Sequence, residues 1–154
     1  MKLKDYKEKR NFKKTPEPSE SKSRKISQEL IYVIQRHQAS HLHYDLRLEE
    51  GGVLKSWAIP KEPPQEEGIK RLAVQTEDHP LGYEDFEGVI PEGQYGAGDV
   101  KTWDRGNYVP LEVKESKWII EIRGERLKGR YCLIKLKAKD NKGNNWLFFK
   151  LKNQ

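Results

Sequence analysis

A strict alternation of apolar and polar side chains over residues 42–49 constrains the fold more than any other feature of the chain. Leu42, Tyr44, Leu46 and Leu48 alternate with His43, Asp45, Arg47 and Glu49. This period of two is typical of a β-strand with one buried face. We therefore predict a strand whose apolar face lies in the core and whose other face carries an imidazole, a carboxylate and a guanidinium in line.

The polar face of this strand suits a metal ion and a phosphate. Imidazole and carboxylate groups are ligands for divalent metals, and a guanidinium binds phosphate. His37 lies ahead of the strand, and we expect a short connection to fold its ring toward the same face. His37, His43 and Asp45 would then form a ligand set with open positions for water and substrate. The alternative is a polar strand face whose histidines are simply solvated.

The rest of the chain also favours β-structure. The pair Gly51 and Gly52 predicts a tight turn that joins residues 42–49 and 53–59 as an antiparallel hairpin. Glycines and prolines over residues 81–98 predict an ordered loop. Further strands are predicted over residues 71–77, 99–103, 108–113, 118–123, 130–137 and 145–151, with a turn at residues 104–107.

The expected fold class is all-β, because no segment keeps a helical period over three turns. About eight short antiparallel strands predict a closed or nearly closed β-barrel, or else a sandwich. The tryptophans lie in strand contexts and are expected in the core: Trp57, Trp103, Trp118 and Trp146. Residues 1–29 are rich in Lys, Arg, Ser and Glu. We expect them to form a basic, partly flexible N-terminal strap, followed by a barrel domain over residues 30–154.

Charge and hydropathy narrow the function classes. The chain of 154 residues has a formal net charge of +6 at pH 7, which fits phosphate-bearing partners. No apolar run approaches the roughly 20 residues that a membrane span needs, and no signal-peptide pattern opens the chain. We therefore expect a cytoplasmic protein with no membrane partner, and we expect a monomer. Cys132 is the only cysteine and is expected as a small core residue.

Several motifs in a fixed order resemble one known family. They lie at residues 37–49, 56–61, 77–83, 86–88 and 91–96. In this order they resemble the 3′-phosphoesterase domain of bacterial DNA ligase D and its stand-alone relatives. The resemblance runs from residue 10 to residue 150, and so covers nearly the whole chain. It implies a crescent-shaped β-barrel whose concave groove holds the active site.

The resemblance also implies an activity. Members of the family are manganese-dependent, and other divalent transition metals suit the same ligands. They remove a 3′-terminal ribonucleoside to leave a 3′-phosphate, and then remove that phosphate to leave a 3′-hydroxyl. The implied substrates are the 3′ ends of DNA or of RNA/DNA primer-templates in repair. End joining points to a separate DNA ligase or polymerase as a partner.

The family's functional residues are carried over position by position. The metal ligands are matched by His37, His43 and Asp45. The groups around the phosphate are matched by Arg47, His79 and Tyr83. Further active-site positions are matched by Gln35, Lys61, Arg71 and Glu77, and positions of the strap by Arg10 and Glu17. Asn11 stands where the family more often has an aspartate, so we expect the diesterase step to be weakened first.

Two other function classes stay open at this point. A metal-independent ribonuclease would use His43 and His79 as acid and base, and would leave cyclic phosphate ends. A non-catalytic module would bind nucleic-acid ends through its basic strap. Resistance to chelators would favour the first class, and dispensable histidines would favour the second.

Overall fold

A computed structural model describes residues 29–94, 97–138 and 143–152. The described residues form a 3₁₀-helical turn at Tyr83–Asp85 and nine strands: β1 (Leu30–Gln38), β2 (Leu42–Glu50), β3 (Val53–Ile59), β4 (Lys70–Pro80), β5 (Gly88–Ile90), β6 (Gly98–Val113), β7 (Lys117–Arg123), β8 (Lys128–Lys135) and β9 (Asn145–Lys150). No helix among them has the length and apolar character needed to cross a membrane. The predicted strap lies outside these ranges except for Glu29.

All nine strands belong to one antiparallel sheet that closes on itself. Neighbours pair in the order β1-β2-β3-β4-β9-β8-β7-β6, and β1 also pairs with β6. These pairings close a barrel, and the short strand β5 adds to the sheet beside the start of β6. The predicted all-β, antiparallel barrel and the hairpin of β2 with β3 are confirmed.

Apolar side chains from both halves of the sheet fill the barrel. The ring of Trp57 meets Trp118 and Trp146 edge-on, with ring centroids 5.4 and 5.6 Å apart. All three indoles are buried as predicted, and Trp103 lies partly buried at the margin of the core. Cys132 is buried, as predicted. Burial of each large side chain stabilises the barrel by roughly 1.5–3 kcal/mol.

The alternation along β2 divides its side chains between the two faces of the barrel wall. Leu46 and Leu48 belong to the interior core. Asp45 and Arg47 point to the outer face, yet they are only 7% and 4% exposed. They are buried beside a segment, residues 81–90, that is held against the outside of the barrel. The outer face therefore contains a second buried layer, and this layer is polar.

The predicted turn at residues 104–107 is wrong, because β6 continues through it from Gly98 to Val113. The carboxylate of Asp104 instead closes a turn far away in the sequence, between β7 and β8. It accepts hydrogen bonds of 2.7–2.9 Å from the Tyr32 hydroxyl and from the backbone N–H groups of Glu125, Arg126 and Leu127. A side chain at Gly124 would collide with this carboxylate, since a Cβ there would lie 2.4 Å from Oδ2.

We expect Asp104→Ala to lower the free energy of unfolding by roughly 3–5 kcal/mol, because it leaves buried donors without an acceptor. Urea denaturation of both proteins measures the difference. Asp85→Ala is the control, since Asp85 forms an exposed ion pair with Arg105 whose loss should cost less than about 1 kcal/mol. Equal losses in the two variants would contradict the proposed anchoring by Asp104.

Candidate metal and phosphate site

Strand pairing brings together two histidines on the polar face of the barrel wall. His37 was expected on a connection ahead of the strand, but it lies within β1 and pairs directly with His43 of β2. Residues directly opposite in an antiparallel pair have neighbouring Cβ atoms on the same face. The two imidazole rings accordingly lie with their centroids 4.6 Å apart. The register of β1 against β2 therefore fixes the position of His37.

Asp45 completes a group of three candidate ligand residues. Its Oδ1 lies 3.2 Å from Nε2 of His43, and its Oδ2 lies 3.5 Å from Nδ1 of His37. One ligand atom from each residue falls within 4.8 Å of the others. The Nδ1 atom of His43 lies 3.3 Å from the carbonyl oxygen of His41. Donation of an Nδ1 proton to that carbonyl orients the ring, and Nε2, which faces Asp45, is the candidate metal-binding atom once its proton is released.

The electrostatics of this group keep the carboxylate ionised. Burial alone would raise the pKa of Asp45, but the hydrogen bond with His43 and the charge of Arg47 outweigh burial and lower it. The hydrogen bond to Asp45 raises the pKa of His43. An ionised carboxylate beside two imidazoles is a donor set that fits a divalent transition metal.

Arg47 is held in place by hydrogen bonds on two of its three nitrogens. Nε donates to Oε1 of Gln35 at 2.7 Å. Nη1 donates to Oγ of Ser56 at 2.8 Å and lies 3.1 Å from Nδ1 of His79. Nη2 lies 3.5 Å from Oδ2 of Asp45 and is the nitrogen that a phosphate oxygen would meet. Arg47 therefore offers a ligand one terminal nitrogen in a fixed position.

Two groups meet Nδ1 of His79 at the same distance. Nη1 of Arg47 and the backbone carbonyl oxygen of Glu77 each lie 3.1 Å from it. The guanidinium only donates and the carbonyl only accepts, so the two contacts favour opposite tautomers of the ring. Burial, followed by the charge of Arg47, lowers the pKa of His79. The neutral form of the ring is therefore favoured. Tyr83 packs against both groups, with its ring 4.8 Å from the His79 ring and 4.8 Å from Cζ of Arg47.

Gln35 connects this arrangement to the segment of residues 81–90. Its Oε1 accepts the hydrogen bond from Arg47, and its Nε2 donates to the backbone carbonyls of Tyr83 and Phe86 at 2.8 and 3.2 Å. Gln35 is fully buried, so its amide acts through these contacts. It therefore sets the position of Tyr83 relative to the guanidinium of Arg47.

The side chains border one cavity of about 340 Å³ on the outer face of the barrel. Its lining includes these predicted site residues: His37, His43, Asp45, Arg47, Glu77, His79 and Tyr83. Gln35 lies beneath them, while Lys61 and Arg71 are not part of the lining. Nε of Arg71 instead donates to the carbonyl of Glu62 at 2.7 Å. Arg10 and Glu17 lie outside the described residues.

Some residues of the site had not been singled out from the sequence. Ser56 lies directly opposite Arg47 in the ladder of β2 and β3 and is fully buried. Its hydroxyl donates to the Leu54 carbonyl, which leaves its lone pairs for Arg47. The cavity is also lined by Ala39, Ala58, Thr76 and Ile90. Pairing of the hairpin, with Arg47 and Ser56 on one face, was the signal that could have identified Ser56.

The family model described as the DNA Ligase D 3′-phosphoesterase domain matches residues 35–135. The chain belongs to this 3′-phosphoesterase family. A similar relative is the multifunctional non-homologous end joining protein LigD of Pseudomonas aeruginosa, 50% identical over 156 residues that cover 97% of this chain and 18% of the relative. The protein of the same name from Mycolicibacterium smegmatis is 44% identical over 164 residues, covering 99% of this chain and 21% of the relative.

A third relative is the multifunctional non-homologous end joining DNA repair protein LigD of Mycobacterium tuberculosis. It is 43% identical over 153 residues, which cover 97% of this chain and 20% of the relative. The chain thus spans about a fifth of the length of the curated relatives that it matches. Membership of the 3′-phosphoesterase family confirms the resemblance found in the sequence motifs.

Removal of any one ligand side chain should lower manganese affinity. We expect His37→Ala, His43→Ala and Asp45→Ala each to weaken manganese binding more than about 100-fold. Substitution of residues that only hydrogen-bond a metal ligand already lowers metal affinity about 10–100-fold. Isothermal titration with Mn²⁺ measures the affinity, and circular dichroism checks the fold. His41→Ala is the control, since its side chain is exposed and only its carbonyl contacts His43. Unchanged affinity in one of the three would remove that residue from the ligand set.

We expect Ser56→Ala to weaken phosphate binding about tenfold, because Arg47 loses an acceptor worth roughly 1.5–3 kcal/mol. Titration of the manganese-loaded protein with inorganic phosphate measures this affinity. Ser116→Ala, an exposed serine remote from Arg47 in the chain, should leave it unchanged. If the two variants bind phosphate equally well, Ser56 does not position Arg47.

Proposed function

We propose that this protein is a metal-dependent 3′-phosphoesterase that heals the 3′ ends of DNA during repair. In this proposal it removes a 3′-terminal ribonucleoside as a phosphodiesterase, and then removes the remaining 3′-phosphate as a phosphomonoesterase. One observation carries the proposal: the His37, His43 and Asp45 group and the Arg47 and His79 pair border the same cavity. Membership of the 3′-phosphoesterase family supports the choice of substrate.

Manganese is the proposed cofactor, held by His37, His43 and Asp45. When bound, such an ion supplies positive charge to a phosphate oxygen and acidifies a water molecule. The protein supplies the rest of the binding energy and the orientation. Asp45 also contacts Nη2 of Arg47. Its carboxylate therefore holds the guanidinium next to the proposed metal ligands.

The remaining groups of the cavity bind and orient the phosphate. Nη2 of Arg47 donates to a non-bridging oxygen and stabilises the negative charge that grows during displacement. His79 borders the cavity, where it hydrogen-bonds the phosphate or protonates the leaving oxygen. Tyr83, packed on the ring of His79 and on the guanidinium of Arg47, orients an oxygen of the substrate. Glu77 is exposed at the cavity, and its carboxylate suits a ribose hydroxyl better than a phosphate.

Residues outside the cavity lining act on a longer part of the substrate in this proposal. Lys61 is exposed in the loop after β3, and we assign it and Arg71 to contacts with the nucleic-acid strand. Arg10 and Glu17 belong to the strap. Glu17 precedes Glu29 by 12 residues, which span up to about 40 Å when extended. The distance from Leu30 to His37 along β1 is about 23 Å, so the strap is long enough to reach the cavity.

The proposed partners are the 3′ ends of DNA and of RNA/DNA primer-templates, with a separate DNA ligase or polymerase to use the healed end. A 3′-hydroxyl is the end that such enzymes need. A DNA-end substrate also agrees with the cytoplasmic location expected from the sequence.

A labelled duplex with one 3′-terminal ribonucleotide tests this function. With Mn²⁺ we expect a 3′-phosphate product first and a 3′-hydroxyl product later, and with a chelator we expect neither. His43→Ala is the control and should give no product. Cyclic phosphate ends formed in the presence of chelator would instead favour the metal-independent ribonuclease. Binding of the duplex without any product would favour the end-binding module.

We predict that the strap serves the diesterase step more than phosphate removal, because only that step must also position a departing ribonucleoside. Arg10→Ala and Glu17→Ala should each slow ribonucleoside removal about tenfold or more and leave 3′-phosphate removal within about threefold. Arg47→Ala and His79→Ala should damage both steps. Separate assays with 3′-ribonucleotide and 3′-phosphate duplexes measure the two rates.

Lys22→Ala, another change of charge in the strap, is the matched control and should alter neither rate. Asn11→Asp should raise the ratio of diesterase to monoesterase rates, because it restores the carboxylate usual in the family. Equal losses of both activities in the Arg10 and Glu17 variants would contradict the division of labour.

A further inference from the structure

Cationic and aromatic side chains gather at the end of the barrel that lies beside the metal group. We call them the mouth cluster and define it by five residues: Arg36, Tyr44, Lys101, Trp103 and Arg126. Arg36 of β1 lies directly opposite Tyr44 of β2 and directly opposite Lys101 of β6. Its side chain therefore points to the interior face, which it shares with Tyr32 and Ile34 of the core.

A β-bulge brings Trp103 into this cluster. Thr102 pairs with Gln35 and Asp104 pairs with Ile34, so Trp103 is the extra residue of β6. A bulge of this kind redirects a side chain at the edge of a barrel. The indole meets the edge of Tyr44 at a centroid distance of 5.6 Å.

The guanidinium of Arg126 lies over the indole of Trp103. Its Cζ is 4.7 Å from the ring centroid, and the residue is exposed. This cation–π contact restrains the guanidinium and leaves its N–H groups able to donate to a ligand. An arginine held in this way is pre-oriented to donate to a phosphate.

The charges of the mouth cluster are poorly neutralised by the protein. Arg36 and Lys101 are like charges directly opposite each other in an antiparallel ladder, an arrangement that is destabilising. Lys101 has two carboxylate neighbours: Oδ2 of Asp99 lies 3.8 Å from its Nζ, and the pKa of Glu87 is lowered by a hydrogen bond from Thr102 and also by the charge of Lys101.

Among the described residues, neither Arg36 nor Arg126 forms an ion pair. Arg126 packs on Trp103. Its charge and that of Arg36 nevertheless lack a carboxylate partner among the described residues, and an external anion would neutralise them.

We infer that the mouth cluster binds backbone phosphates of the nucleic acid that carries the 3′ end into the cavity. This inference rests on the proposed function and adds the surface that holds the rest of the substrate. Arg36 is next to His37 in β1, and Tyr44 is next to His43 in β2. Because side chains alternate along a strand, Arg36 and Tyr44 lie on the opposite face of the barrel wall from the two histidines. The catalytic cavity and the mouth cluster are therefore separated by the edge of the β1–β2 hairpin. A nucleic-acid strand that leaves the cavity would reach the mouth cluster across residues 39–41.

The positive charge of the mouth cluster indicates a partner with phosphate groups. Nucleic acid presents a regular row of phosphates, and each cation that neutralises one releases a bound counterion. Binding through Arg36 and Arg126 therefore depends steeply on salt. The positive net charge of the chain adds long-range attraction of the same sign.

The test is the affinity of a 3′-phosphorylated duplex, measured by fluorescence anisotropy over a range of salt concentrations. The double variant Arg36→Gln/Arg126→Gln removes two charges and keeps long polar side chains. We expect about a tenfold loss of affinity, and a slope of log affinity against log salt that is shallower by about 2. Manganese affinity should stay unchanged, which shows that the variant is folded and its metal group intact.

The control is Lys114→Gln/Lys137→Gln, which removes two exposed charges near the opposite end of β6. It should leave both the affinity and the salt slope close to those of the unmodified protein. Equal effects of the two double variants would mean that only net charge matters, and no effect of the first would exclude the mouth cluster; either result overturns the inference. Absence of 3′-phosphate removal by the unmodified protein would refute the proposed function, while this binding measurement would still decide the role of the mouth cluster.

Discussion

The buried guanidinium of Arg47 is the group on which the outer layer of the molecule depends. An unpaired cation at 4% exposure would destabilise the fold by several kcal/mol. Arg47 is therefore surrounded by polar groups: the amide of Gln35, the hydroxyl of Ser56, the ring nitrogen of His79 and the carboxylate of Asp45. The same contacts that stabilise the charge fix the positions of a histidine and a carboxylate, so stability and site geometry have a common origin.

A single strand serves both layers because its side chains alternate. On β2, leucines secure the interior of the barrel while Asp45 and Arg47 face the outer layer. A shift of one residue in the register of β1 and β2 would exchange the two sets of side chains. The large apolar interior therefore protects the small polar site from such a shift.

Much of the barrel and of the site could be predicted from the sequence where one face of a strand is buried. The hairpin of β2 and β3 followed from strict alternation and a diglycine turn. Strand β1 could not be predicted from alternation, because both of its faces are buried and residues 31–34 form a continuous apolar run. The side-chain types of the ligand set were visible, but the pairing of His37 with His43 was not.

Tertiary contacts explain the other differences between the predictions from the sequence and the structure. The sequence around Asp104 has the composition of a turn, yet its carboxylate accepts hydrogen bonds from a turn about 20 residues later. Ser56 has a side chain that is common in strands and loops, and its role depends on a partner across the hairpin. For Arg71, the local sequence gave no sign that its Nε would bond to the Glu62 carbonyl. Local sequence patterns predict the face of the strand on which a side chain lies. They say less about the side chain or backbone group with which it forms a hydrogen bond.

The position of the ligand residues has a consequence for the order in which the molecule is assembled. His37, His43 and Asp45 belong to one hairpin with a connection at residues 39–41, so their approach costs little chain entropy. Closure of the barrel instead joins β1 to β6, and the Tyr32–Asp104 hydrogen bond there links residues 72 positions apart. Long-range pairing of this kind is the slow step in β-sheet proteins. The hairpin that carries these three residues is thus able to form before the barrel closes, and the proposed ion, if bound at that stage, would stabilise the nucleus on which the remaining strands assemble.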